Sequence, residues 1–172
     1  MTFFSYLCTI FYAQKTMKKK SYVFLVLAVL LGCFGCSQKA VNKELLQRDF
    51  YNTVWERFDY VTNDIEIKEA ATFDLSMKIT FTDDYPYDDF SMVFTVFDEE
   101  GNPYRAKGYK FTLKDQDGQW KAQKSDEGYT FTLPINKRLS INEPGKYQFR
   151  IEEKQPITPL VGVKSLVLLN NE

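Results

Sequence analysis

From Phe73 to Phe81 the chain alternates without a miss. Phe73, Leu75, Met77, Ile79 and Phe81 are apolar, and Asp74, Ser76, Lys78 and Thr80 between them are polar. A period of two belongs to an extended strand, whose successive side chains point to opposite faces. One face of this strand is therefore expected in a core and the other in water. Such a strand needs a second layer to cover its apolar side.

The same signal recurs downstream. Phe90-Ser-Met-Val-Phe-Thr-Val-Phe97 is apolar on both faces near its end, which predicts a more central strand. Tyr109, Phe111 and Leu113 alternate with lysines and a threonine, and Tyr129, Phe131, Leu133 and Ile135 form another set. Lys146-Tyr-Gln-Phe-Arg-Ile151 alternates strictly, and Leu160 to Leu169 closes the pattern after Pro156 and Pro159. Turn chemistry separates these runs. Asp98-Glu-Glu-Gly-Asn-Pro103, Asp115-Gln-Asp-Gly118 and Glu143-Pro-Gly145 supply residues that accept tight-turn backbone angles. Trp120 is expected to start the return strand of the second of these turns. Seven or eight short strands with no helix beyond two turns predict a single antiparallel β-sandwich, immunoglobulin- or jelly-roll-like. Residues 49–64 stay open at this level. Phe50, Tyr51, Val54, Trp55 and Phe58 fit one helical face or an extended aromatic segment laid on a sheet.

Ahead of the domain lies an export signal. Lys18, Lys19 and Lys20 precede ten nearly uninterrupted apolar residues, Tyr22 to Leu31, and Gly32-Cys33 follows. A positive n-region, an apolar core of roughly 7–15 residues and small residues before the cut define a secretory signal. The run is shorter than the ~20 residues that span a bilayer. Leu30-Leu31-Gly32-Cys33 has the form of a lipoprotein site, so Cys33 is the expected lipidation point, with Cys36 as the alternative. Residues 1–16, a second apolar stretch with Cys8, read as an upstream extension of the gene, with Met17 as the start. Residues 17–32 are then the signal, 33–48 the lipidated N-terminus and polar tether, and 49–172 the sandwich domain.

Composition narrows the chemistry. The chain contains no histidine, and no cysteine follows Cys36. The commonest general base and metal ligand is missing, and thiolate zinc sites, cysteine nucleophiles and Ser-His-Asp triads go with it. Removing Lys15, Lys18, Lys19 and Lys20 with the signal leaves 18 basic residues against 23 acidic ones. A mildly acidic domain is a poor partner for nucleic acid, whose phosphates need clustered cations. A domain of this length holds itself by its core without disulfides.

Two constellations are left. Asp83, Asp84, Asp88 and Asp89 flank Tyr85-Pro86-Tyr87. Their oxygens could bind calcium, but the spacing lacks the regular alternation of a calcium loop, so a solvated turn is the expectation. Asp115-Gln-Asp-Gly118 has no Glu at its twelfth position and is better read as a turn. Tyr85, Tyr87 and Trp120 are the candidate interaction residues. Tyr85 and Tyr87, between paired acids, could anchor a protein partner, and with Tyr104 and Trp120 they could form a platform for a glycan, although core or sheet-edge packing is the commoner fate of such aromatics.

Taken in order, Tyr85-Pro86-Tyr87 with its following strand, Gly118-Gln119-Trp120, Pro144 to Glu152, and Leu160-Val161-Gly162-Val163 resemble the GldH family of gliding-motility lipoproteins from Bacteroidetes. That resemblance implies a lipid-anchored envelope protein, non-enzymatic and without cofactors or metals, joined to other envelope proteins of a gliding or linked secretion machine. The outer membrane is the expected place, and the absence of an acidic run after the cysteines points to its periplasmic face. A glycan-binding lipoprotein is the alternative.

Overall fold

The computed structural model describes residues 43–171. The signal, Cys33, Cys36 and the first 16 residues lie outside the described residues. In chain order the elements are β1 (Lys43–Asp49), a 3-10 turn (Tyr51–Thr53), β2 (Val54–Trp55), β3 (Val61–Ile67), β4 (Ala71–Phe81) and β5 (Asp89–Phe97). They continue with β6 (Pro103–Thr112), β7 (Lys124–Ser125), β8 (Gly128–Ile141), β9 (Gly145–Glu153), β10 (Leu160–Val161) and β11 (Val163–Asn170).

Every pairing is antiparallel. One sheet runs β1-β11-β4-β8-β7, the other β3-β9-β5-β6, and β2 and β10 form a two-residue ribbon. The predicted all-β sandwich is what the chain forms. The odd-numbered side chains of β4 face the core, with Met77, Ile79 and Phe81 fully buried. They meet Phe90, Phe94 and Val96 of β5 and Phe149 and Ile151 of β9. Edge-to-face contacts cross between the sheets, Phe73 to Phe149 at 5.7 Å and Phe81 to Phe90 at 5.7 Å. Each fully buried side chain of this size is worth about 1.5–3 kcal/mol. The segment Phe90–Phe97 is central as expected, flanked by β6 and β9.

Three expectations change. Residues 43–48 are not tether. They form edge strand β1, paired with β11 from Lys43↔Asn170 to Asp49↔Ser165, so the folded domain starts six residues earlier than 49. The sequence hides this because one side chain of the strand, Leu46, is buried and the rest are polar or half-exposed. The polar face of β4 is also drier than its residues imply. Ser76 and Thr80 are buried. Ser76 Oγ donates to Asn171 Oδ1, and the Thr80 and Thr130 hydroxyls are 3.0 Å apart. A central strand is covered by its neighbours on both faces. Finally, Trp120 starts no long return strand. It makes an isolated bridge to Lys114, closing an Asx turn in which Asp115 Oδ1 accepts the Asp117 and Gln119 N–H groups. Residues 50–58 form no α-helix: a 3-10 turn at 51–53 and a second turn at 57–58 flank the short extended β2.

Candidate functional site

Tyr85 does not stand at the surface. It is 1% exposed, which corrects its reading as an exposed anchor or glycan platform. Its hydroxyl donates to the Asp89 carbonyl and receives a hydrogen bond from Gln155 Nε2, both at 2.8 Å. Burial pushes the phenol above its ordinary range, since a phenolate there would lose its water. Tyr87 and Trp120 are half-buried around it. Trp120 stacks on Tyr129 at 4.3 Å and lies near Phe81 and Tyr85, with the Lys114 ammonium 4.9 Å over its ring.

Three of the segments singled out in the sequence, those of Tyr85, Trp120 and Gly162, meet at this aromatic corner. Thr82 N–H donates to the Gly162 carbonyl, and Gly162 has φ +81. A Cβ there would sit 2.4 Å from Tyr85 N. At Gly128 a Cβ would be 2.2 Å from the Phe81 carbonyl oxygen. The Tyr-Pro-Tyr loop and the Leu-Val-Gly-Val segment thus lock backbone to backbone, which glycine alone permits.

Three of the loop's four acids are taken up by neighbouring lysines. Asp83 accepts from Lys124 Nζ and the Tyr129 hydroxyl, and the Lys124 bond holds its carboxyl below the usual range. Asp88 pairs with Lys114 and Asp89 with Lys110. Among the described residues no three His, Cys, Asp or Glu side chains converge to hold a metal ion.

Exposed apolar groups gather elsewhere. Of the six large apolar side chains exposed among the described residues, Tyr51 (87% exposed), Phe58 (68%), Tyr60 (38%), Ile157 (69%) and Val161 (40%) lie in the loops 50–60 and 154–162, and the sixth, Tyr104, is on β6. The β2–β10 ribbon ties the loops together, Trp55 opposite Leu160 and Val54 opposite Val161. Trp55 roots the structure. It is buried, stacks on Phe50 at 4.7 Å and donates Nε1–H to the Asp59 carbonyl. Around that root the backbone is strained. Asn52, Thr53 and Phe58 adopt φ of +51, +57 and +64 without a glycine among them. Each left-handed L-residue costs about 1–2 kcal/mol, most for branched and bulky ones. Strain held by surrounding structure points toward function rather than stability. Here it turns Tyr51 and Phe58 outward.

The rim of this tip is partly neutralised. Arg48 pairs with Asp59 at 2.7 Å, Lys154 with Glu152 at 2.6 Å, and Arg57 lies 4.8 Å over Phe58. A cleft of about 280 Å³ opens beside it, with Trp55, Tyr60, Glu153 and Gln155 in its walls. A second, shallower hollow of about 420 Å³ lies on the outer face of the four-stranded sheet. Arg150 is stacked there between Tyr60 at 4.6 Å and Phe97 at 4.3 Å. Its carboxylates serve local structure: Asp64 accepts from Gln148, and Asp98 closes its own turn.

The sequence reading missed the tip. The cue was four aromatic residues among the nine from 50 to 58, with Tyr60 close behind and no glycine, followed across the chain by two prolines.

No curated protein matches the chain. Among solved structures, a chain from "CBM4 structure and function" aligns at 10% identity and TM-score 0.34, covering 80% of this chain and 79% of that one. Dimeric latent PorU from Porphyromonas gingivalis aligns at 11% identity and TM-score 0.33, over 78% of this chain and 12% of its own. VP2 from the infectious bursal disease virus subviral particle gives 10% and 0.33, over 76% and 32%. These scores are too low to assign a shared topology. The family model described as GldH lipoprotein matches residues 46–168, which takes in every segment of the aromatic corner and both loops of the tip, and the chain belongs to the GldH lipoprotein family.

Proposed function

We propose that this lipoprotein works by holding another envelope protein through its apolar tip, as a non-enzymatic part of a gliding-motility or linked secretion machine. The family supplies the lipid anchor and the gliding context. The tip supplies the surface. Exposed aromatics on a pre-set backbone, ringed by polar and charged groups, are the usual anchors of protein recognition. Interaction needs no titrating group, which suits a chain without histidine. We place the anchor on Cys33, with Cys36 the alternative, and the domain on the periplasmic side of the outer membrane. Mass spectrometry of the mature N-terminal peptide decides the anchor, since a lipid on Cys36 or an intact signal overturns Cys33.

The function is tested by complementation. Deleting the gene in its own bacterium should impair surface spreading or protein secretion, and the wild-type gene should restore it. The Tyr51→Ser, Phe58→Ser double variant should be exported and lipidated at normal levels yet fail to restore it. Full restoration by that variant would rule out the tip as the working surface.

A further inference from the structure

We propose that the cleft beside the tip receives one lysine or arginine side chain of the partner protein, while the tip's apolar side chains seat the aliphatic residues around it. This rests on the docking function proposed above and adds the chemistry of what docks.

Glu153 carries the inference. It follows Tyr147, Phe149 and Ile151 on the core face of β9 and is opposite Met92 on β5. Only 9% of it is exposed, yet it lines the cleft. Its Oε2 accepts the Gln155 N–H at 2.8 Å, and among the described residues no cation lies within ion-pair distance of it. The Gln155 side chain turns away, donating instead to Tyr85 Oη and the Asp89 carbonyl. A carboxylate so deeply placed and without a counter-ion is costly.

The other charged walls do not supply one. Lys154 is committed to Glu152 and Arg57 lies on Phe58, while Arg48 occupies Asp59. Glu56 is a fourth carboxylate in the cleft wall and pairs with nothing among the described residues. Glu56, Asp59, Glu152 and Glu153 thus face Arg57, Lys154 and the Arg48 that holds Asp59, one negative charge in excess. A single incoming cation would form charge-assisted hydrogen bonds there, its stem running along Tyr60 and Pro156. The same excess disfavours the other occupants. An anionic lipid surface would be repelled, and a second copy docking tip to tip would bring two acidic clefts together.

The test uses the mature lipidated protein in nanodiscs against a displayed library of random seven-residue peptides. The expected result is enrichment of peptides with one Lys or Arg flanked by aliphatic residues. Glu153→Gln, which keeps the Gln155 bond, and Glu56→Gln, at an exposed position, should each lower recovery of those peptides by about tenfold or more. Enrichment of purely apolar peptides, indifferent to both variants, would overturn the cation but leave the docking function standing. No enrichment would overturn both. In parallel, Ile157→Cys carrying a polarity-sensitive dye is read without peptide. Quenching by spin-labelled lipid would overturn the proposal in favour of the membrane, and dye-to-dye self-quenching in favour of a second copy; neither is expected.

Discussion

The aromatic corner and the apolar tip are made of the same kinds of residue and meet opposite fates. Phe81, Tyr85, Trp120, Tyr129 and Phe131 stack together at one place, buried or half-buried. Tyr51, Phe58 and Ile157 stand in water. The difference lies in the backbone. At the corner, glycines occupy the left-handed positions, and two chain segments close to backbone contact over the rings. At the tip, non-glycine residues occupy those positions and hold the rings out. Aromatic content alone does not tell a core from a surface, and neither does a flanking run of acids.

Changes at four positions would break or sharpen this contrast. The largest effect is expected from Gly162→Ala. Its Cβ meets Tyr85 backbone atoms at 2.4 and 2.5 Å, in a conformation alanine already resists. A loss of about 3 kcal/mol or more, a fall of about 10 °C in melting temperature, is the expectation. A melt like wild type would show that the corner yields.

Tyr85→Ala comes next, at about 3 kcal/mol by analogy with other large aromatics removed from a core. The milder Tyr85→Phe isolates the hydroxyl. Because burial raises this phenol's folded-state pKa, its contribution is complete below the ordinary phenol value and is lost as pH rises through the folded-state value. Wild-type stability should therefore decline above about pH 10 more steeply than that of the Phe variant. Parallel alkaline melts would mean that Tyr85 is open to water.

Phe58→Gly should change stability by less than about 1 kcal/mol, because relief of the positive φ offsets the greater freedom of glycine in the unfolded chain. It should nevertheless abolish partner capture. A drop comparable to Tyr85→Ala would make the tip a second core and end the comparison.

The smallest effect belongs to Asp83→Asn, which removes an exposed partner of Lys124. No measurable change in melting temperature is expected at neutral pH. The Lys124 bond lowers the Asp83 pKa, so whatever it adds is present above the ordinary carboxylate range and lost as pH falls through the lowered folded-state value. Any difference from wild type should vanish in acid, and one that grows there would show that another group is responsible.

Much of the sandwich was legible because alternation and turns act locally. Phe73 to Phe81, Lys146 to Ile151, the Asp115–Gly118 turn and the Glu143–Gly145 turn all stand where their residues put them. What was not legible depends on partners distant in sequence. Lys43–Asp49 becomes a strand through the β11 ladder, with little apolar signal of its own. The Tyr85 backbone is held against Gly162, 77 residues away, and its ring packs on Trp120, 35 residues away. Trp120 is drawn onto Tyr129 instead of into a ladder. The tip escaped because Asn52, Thr53 and Phe58 turn the chain without glycine, the residue that usually marks such turns. Glu153 could have been found: the period of two through Ile151, continued by two residues, puts a carboxylate on the core face.

The way the chain enters the domain has a mechanical side. β1 begins at Lys43 and leads directly to the tip, Asp49 being followed by Phe50, whose N–H donates to the Lys164 carbonyl. The ladder to β11 runs the length of the strand. Under the docking function proposed above, tension between a lipid upstream of Lys43 and a partner at the tip would run along β1, across ladder bonds that lie perpendicular to it. Such bonds are loaded together in shear, whereas a strand peeled sideways gives them up one at a time. A domain that ties a membrane to a moving part would hold best when pulled in the direction that this strand lies.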